Sequence, residues 1–277
     1  MAEYGRVLRT AAQVRAVWLP LGLVLLAYAA ASLVNTPLRD DIRQGTPNLL
    51  GFGLHIDEPV SADRWMFGQL PTTWLQDRLY SPSSPHWYDA VAAVVYISHF
   101  LVIPVVAMVL WSTNRPRFRS WIWCVSLLVA VGTTTYIIYP MAPPWTAGEL
   151  GLVDPMTRIS GIGWDFLHLD AIGNLLSQAQ LASNPVAAMP SMHAASAALV
   201  AAFFWGAAAL WKRVLLALYP VAMGVTLVYT GEHYVVDVIA GCLAAGAVVI
   251  GWQLVANRKR ARRRGFPPDL RTVADRS

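Results

Sequence analysis

Along the chain, long apolar runs alternate with polar stretches of unequal length. Six runs stand out: Ala16–Asn35, Trp87–Trp111, Trp121–Tyr139, Pro190–Trp211, Val214–Tyr229 and His233–Val255. Each is close to the roughly twenty residues with which an α-helix crosses about 30 Å of hydrocarbon. None alternates like a barrel strand, and lipid offers no partner to exposed backbone N–H and C=O groups. The pattern predicts an all-α integral membrane protein, a six-transmembrane-helix bundle. Residues 16–255 form its membrane domain, with a short segment (1–15) before it and a basic tail (256–277) after it.

The polar stretches differ in kind. Residues 36–86 contain "QLPTTWLQDRLY", which predicts a short helix opening at Pro71 with Trp74, Leu75 and Leu79 on one face. Residues 141–186 contain "GWDFLHLDAIGNLLSQAQLA", with Trp164, Phe166, Ile172, Leu175 and Leu176. Both read as interfacial segments with aromatics at head-group level. Loops this long usually cover something. The remaining connections are short; one is Lys212-Arg213.

Composition supports the membrane reading: 56% of the 277 residues are hydrophobic and 13% are charged, where soluble chains carry about 25% charge. Charge then sets the orientation. With the N-terminus in the cytoplasm, the inner segments (1–15, 112–120, 212–213 and 256–277) hold sixteen of the 21 Lys and Arg residues. The outer segments hold Arg39, Arg43, Arg64, Arg78 and Arg158. Both termini are thus expected in the cytoplasm, and the two interfacial segments on the outer face. The net charge of +5 reports topology and not nucleic-acid binding. The tail "RKRARRR" at 258–264 reads as a topology anchor, with an anionic lipid head group as the alternative ligand. Arg6, Arg9 and Arg15 precede the first run, and "AYAAAS" at 27–32 resembles a signal-peptidase site. Cleavage there would leave five helices in the same orientation. Cys124 and Cys242 lie inside apolar runs and read as packing residues.

Two polar islands sit at the outer ends of the fourth and sixth runs. The first is "AMPSMHAAS", Ala188 to Ser196. Pro190 suits the first position of a helix, and a helix N-terminus offers free N–H groups to a phosphate. Ser191 adds a hydroxyl, and His193 follows within one turn. The second island is "TGEHYVVDVIAG", Thr230 to Gly241. Positions i and i+4 share a helix face, so Asp237 can accept a hydrogen bond from His233, fix its tautomer and make the far nitrogen more basic. The fourth run is rich in alanine, and the sixth has Ala240, Gly241, Ala244, Ala245 and Gly246, so the two helices can approach closely. His193 and His233 are then expected at one depth, facing each other. Two oriented imidazoles beside a phosphate-binding helix end suit phosphoryl transfer. Ionisable groups inside a membrane are costly and mark function by default.

These motifs resemble a known family. "PSMH" at 190–193 is similar to the P-S-G-H motif of the type 2 phosphatidic acid phosphatase superfamily, and "HYVVD" at 233–237 to its H-x-x-x-D motif. "YPMAPPW" at 139–145 and "YTGEHYVVDV" at 229–238 resemble the inositol phosphorylceramide synthase-like branch. The likeness covers roughly residues 90–255. It implies that His233 is the nucleophile of a phosphohistidine, that Asp237 orients it, and that His193 protonates the leaving group and then activates the acceptor. It implies no metal and no cofactor, a site on the outer face, and a phospholipid or polyprenyl phosphate as substrate among the membrane lipids.

The chain also departs from the phosphatases. It has no K-x6-R-P motif; Thr226-Leu227 stands where they place Ser-Arg; and Met192 replaces the glycine of P-S-G-H. A phosphoryl transition state still needs cationic or N–H donors. Arg158 and Arg64 are the outer candidates. The departures favour head-group transfer to an alcohol acceptor over a simple phosphatase.

His99, in "YISHFLVIP", is either a further substrate-binding group or a core histidine bonded to Tyr or Ser. Glu232 reads as a surface turn residue, and His55, His86 and His168 carry no readable pattern. Two other classes fit the chain less well. A proton-coupled transporter would show inverted repeats and broken helix pairs, which are not evident. A metal-dependent hydrolase using His193, His233 and Asp237 as ligands would more usually carry H-E-x-x-H.

Overall fold

The computed structural model describes residues 26–181 and 184–265, with Gly22 and Val24. It is helical throughout, and no strand occurs among the described residues beyond isolated bridges. The helices, in chain order, are α1 Thr36–Asp40, α2 Asp57–Phe67, α3 Pro71–Leu79, α4 Trp87–Thr113, α5 Arg115–Ile138, α6 Pro144–Glu149, α7 Ile162–Phe166, α8 Asp170–Leu181, α9 Met192–Trp205, α10 Leu210–Tyr229 and α11 Val235–Gly265. Residues 26–34 of the first apolar run are also helical; most of the remainder of that run, the 1–15 segment and residues 266–277 lie outside the described residues.

Four helices, α4, α5, α10 and α11, are long and apolar enough to cross a membrane. α9 is apolar but has only 14 residues, about 21 Å at 1.5 Å per residue. The fourth run was expected to reach Trp211. Instead the chain turns at residues 206–209, and Trp211, Lys212 and Arg213 belong to α10. The expected Lys212-Arg213 loop is therefore helical. Ala207 N–H donates to the Phe204 carbonyl, and the Arg213 side chain donates to the carbonyls of Trp205 and Ala208, which closes the turn. α5 starts six residues before its apolar run, because the Asn114 side chain accepts the Arg117 N–H and caps it. α11 continues past the expected boundary at 255 to Gly265, so the first part of the basic tail is helix. Tails rich in arginine favour helix and complement the negative end of its dipole.

α9 lies at the centre, packed on α11 and α10 and flanked by α4 and α5. Its alanines let neighbours close in. Ala194 and Ala197 meet Tyr96, Leu227 and Val238, while Ala195 and Leu199 meet Trp121, Cys124 and Ala245. Gly241 is needed for this approach: a Cβ there would overlap the Ser191 carbonyl. Cys124 is a fully buried packing residue, as its setting predicted.

The two long polar segments fold over one end of this bundle. Asp63 of α2 is fully buried, and its carboxylate accepts the N–H groups of Val235 (2.9 Å) and Val236 (3.0 Å), capping α11. Gln76 of α3 donates to the carbonyls of Thr157 and Tyr229 and accepts the Thr157 N–H. Asp89 of α4 accepts the Tyr229 hydroxyl at 2.6 Å. Trp164, expected at head-group level, is instead buried in the core with Ala93 and Tyr96. α3 and α8 do carry exposed apolar side chains, including Trp74 and Leu175.

Candidate active site

The C-terminal end of α10 builds one wall of the site. Leu227, which the resemblance sets where the phosphatases have arginine, lies in the last turn of this helix. Its side chain is fully buried in the apolar core, and its carbonyl accepts the N–H groups of Glu232 (3.0 Å) and His233 (3.2 Å). That tight turn needs Gly231, whose φ is +74° and whose ideal Cβ would press on the Thr157 carbonyl. His233 and Tyr234 precede the first residue of α11, so the helix starts two residues later than the apolar pattern implied.

The expected pair forms all the same. His233 Nδ1–H donates to Asp237 Oδ2 at 3.0 Å, with Asp237 fully buried. The bond fixes the tautomer and leaves Nε2 as the nitrogen available for chemistry. His193, the second residue of α9, faces it with ring centroids 5.6 Å apart. Between α9 and α11, the Ser191 N–H donates to the Asp237 carbonyl at 3.0 Å, which ties the two motifs backbone to backbone. Tyr136 donates its hydroxyl to the Pro190 carbonyl at 3.2 Å.

Of the other expected site residues, some reach the centre and some do not. His99 does: its ring lies 4.2 Å from that of His193, centroid to centroid. It is not bonded to Tyr or Ser, and its buried Nδ1 has no hydrogen-bond partner among the described residues. Ser191 is close but does not line the cavity. It is the N-cap of α9, its Oγ accepting the Ala194 N–H at 3.3 Å, and Pro190 therefore precedes the cap and does not open the helix. Arg64 is exposed on α2 and lies outside the cavity lining. Its neighbour Asp63 turns inward to cap α11, and one residue further round a helix points away.

Arg158 does line the cavity, held by a partner that the sequence reading placed on the surface. Glu232 is 6% exposed. It takes the Arg158 guanidinium bidentately, Nε to Oε1 and Nη2 to Oε2, both at 2.8 Å. Ser160 Oγ donates to the same carboxylate at 2.6 Å, and Gln180 Nε2 contacts Ser160, Glu232 and the Tyr96 hydroxyl. A buried carboxylate beside a helix start requires such partners, and this is why Glu232 is not a surface residue. Burial works against the charge on Arg158. The hydrogen bonds and charge of Glu232 more than offset it, so the guanidinium titrates above its ordinary value. The backbone helps place it: Gln76 grips Thr157, and Ile159 N–H donates to the Thr230 carbonyl. No local spacing in the sequence pointed to Glu232, Ser160, Gln180 or Asp63, since each acts on a residue far along the chain.

A cavity of about 650 Å³ opens here, lined by the polar side chains of Arg158, Gln180, Asn184, Glu232, His99, His193 and His233 and by apolar ones that include Phe100, Ile103, Val125, Leu128 and Leu199. Among the described residues, no group of three His, Cys, Asp or Glu side chains is placed to hold a metal ion.

With a helical bundle of membrane-spanning length and two histidine motifs at one end of it, the class can be stated. Residues 60–251 match the PAP2 superfamily, and the chain belongs to that family. Its members are phosphatases and phosphotransferases acting on lipid phosphates. Among curated proteins, the chain is similar to the phosphoinositol dihydroceramide synthase of Bacteroides thetaiotaomicron, with 26% identity over 177 residues, 60% of this chain and 56% of that protein. It is also similar to the putative undecaprenyl-diphosphatase YbjG of Escherichia coli K12, with 24% identity over 175 residues, 63% of this chain and 77% of that protein. The chain thus spans little more than half the length of the Bacteroides synthase. No solved structure matches.

Proposed function

We propose that this protein is a membrane lipid phosphotransferase that moves a phosphoryl or phospho-head group, such as phosphoinositol, from a lipid to an alcohol acceptor through a phosphohistidine. The observation that carries this reading is a buried His–Asp pair facing a second histidine, on a cavity lined by both polar and apolar side chains. His233 Nε2 attacks phosphorus as the bond to the leaving oxygen breaks, and His193 gives that oxygen its proton. His193 then takes a proton from the acceptor hydroxyl, whose oxygen attacks the phosphohistidine and releases His233. Asp237 steadies the imidazolium that develops. Arg158, aimed by Glu232, supplies the cation that Leu227 does not.

The topology belongs to the same proposal. Six spans with both termini in the cytoplasm put the site on the outer face, a reading supported by the distribution of Lys and Arg. α2, α3 and α8 then lie along the outer membrane surface, over the cavity.

With water as acceptor, the same residues make a lipid phosphate or prenyl diphosphate phosphatase. The match to the putative undecaprenyl-diphosphatase favours keeping that second reading. Purified protein supplied with phosphatidic acid, prenyl diphosphates, and phosphatidylinositol with lipid or glycan alcohols separates the two by mass spectrometry of the products. A transferred head group supports the first reading and free phosphate the second. No turnover of any lipid, and no covalent phosphate on the protein, would sink both.

A further inference from the structure

Asn184 carries a hydrogen-bond donor that the fold leaves unused. It stands nine residues before His193, on the segment that leads into "PSMH", and it lines the cavity together with Arg158 and Glu232. Only 8% of it is exposed. Pro185 has no N–H, and Asn184 closes the turn around it. Its Oδ1 accepts the Val186 N–H and its carbonyl accepts the Ala187 N–H, both at 3.2 Å. The Val186 carbonyl and the Ala188 N–H are bonded in turn to Met141, which holds the turn in place.

A carboxamide has one acceptor oxygen and one NH2 group. With Oδ1 engaged by the backbone, the direction of the amide is settled and Nδ2 is left over. Nδ2 has no hydrogen-bond partner among the described residues. Unlike His99 Nδ1 and Thr133 Oγ1, it is not closed off. A free donor on a side chain this deeply buried points to what the cavity receives.

The lining offers it no carboxylate. Glu232 is the one acid there, and both of its oxygens are taken: Oε1 by Arg158, Ser160 and Gln180, and Oε2 by Arg158. The acceptor for Asn184 must therefore come with the ligand. Arg158 lines the same cavity and leaves Nη1 outside its pair with Glu232. A neutral donor and a cationic one in one wall suit an anionic oxygen, which only accepts, and hydrogen bonds to ionised groups are the stronger kind.

We infer that Asn184 is a further catalytic residue, whose Nδ2–H donates to an anionic oxygen of the substrate's phosphoryl group alongside Arg158. This rests on the phosphotransfer reading above and adds to it a neutral donor where the chain has leucine for arginine.

The test compares wild type with Asn184→Asp and Asn184→Ala. Aspartate keeps the oxygen that accepts the Val186 N–H, and so keeps the turn, but it puts an oxygen where the NH2 stands. A residue that serves only its turn tolerates that change; a donor to an anion does not. Each protein is assayed in detergent micelles on phosphatidic acid, phosphatidylinositol and farnesyl phosphate. Binding of orthovanadate, which mimics a phosphoryl group in transfer, is measured by calorimetry. Asn184→Ala should lose about 10² in kcat, the order expected for one transition-state donor, and bind orthovanadate about tenfold more weakly. Asn184→Asp should lose at least as much, by one factor across the three lipids, with its midpoint of thermal unfolding at the wild-type value. Wild-type activity in Asn184→Asp overturns the inference, because the asparagine then serves only its turn. A loss confined to phosphatidylinositol overturns it as well, because the donor then serves the head group. Should Asn184→Asp fail to fold, Asn184→Ala decides: wild-type kcat and orthovanadate binding there overturn the inference. Wild type inert on every lipid overturns the phosphotransfer reading alone. Orthovanadate bound by wild type and lost in Asn184→Asp would still uphold the donor, while equal binding by the two, or none by wild type, would overturn it.

Discussion

Two neighbouring turns of chain place two carboxylates on two different functional side chains. Asp237 holds His233 through one bond at 3.0 Å, across four residues of a single helix start. Glu232 holds Arg158 through two bonds at 2.8 Å, across 74 residues of sequence. Both carboxylates are buried, and each aims its partner at the same cavity. The difference lies in what each arrangement can tolerate. The His–Asp pair is set by helix geometry and by the Asp63 cap beneath it. The Arg–Glu pair depends on a loop pinned by Gln76, Ser160 and Gly231, so its precision is borrowed from several distant elements. One pair is proposed to make the covalent bond, the other to neutralise the charge that moves.

Substitutions can break that comparison, beginning with the largest effect. His233→Ala should abolish turnover and covalent phosphate labelling, while His233 intact with Asp237→Asn should keep labelling but slow kcat by about 10²–10⁴, the cost of a wrongly held imidazole. Full activity in His233→Ala would remove the nucleophile from the proposal. Arg158→Ala should cost about 10²–10³ in kcat, the usual loss of one transition-state donor, and Arg158→Lys should recover little because the fork is lost. Glu232→Gln should cost about tenfold, as for other groups that orient a functional side chain. Added to Arg158→Ala it should cost nothing further; additive losses in that cycle would mean that Glu232 acts independently of the arginine. Smallest of all, Asp63→Ala should lower the stability of the α11 start by about 1 kcal/mol, read as a lower midpoint of thermal unfolding. A midpoint equal to wild type would show that the cap contributes nothing.

The same contrast explains what the sequence made legible. His233 and Asp237 sit at helical spacing within one motif, and the small residues around Gly241 announced that α9 would lie close enough to bring in His193. The apolar runs gave α4, α5, α10 and α11 nearly whole. The boundary between α9 and α10 was hidden because Trp205–Trp211 is apolar throughout, so only Gly206 and the return of side-chain bonds from Arg213 mark the turn. Glu232 was misplaced for a similar reason. A glutamate beside a glycine has the look of a solvent turn, and the arginine that buries it lies in a loop without periodicity. His99 was readable as a polar residue inside a span, but its choice between core and cavity depended on a ring 94 positions away.

α11 carries one more consequence. From the capped end beside His233 it runs without interruption for 31 residues, about 46 Å at 1.5 Å per residue, whereas the hydrocarbon layer is about 30 Å thick. Set along the bilayer normal, some 15 Å of rod stands clear of the lipid, and the arginine-rich far end allows that length on one side only. The helix is in effect a depth gauge with a stop at its foot. On the topology proposed above, the charges that cannot sink into the bilayer on one surface fix how far below the other surface the proposed nucleophile sits, so the height of the proposed chemistry relative to the lipid head groups is set from the opposite side of the membrane.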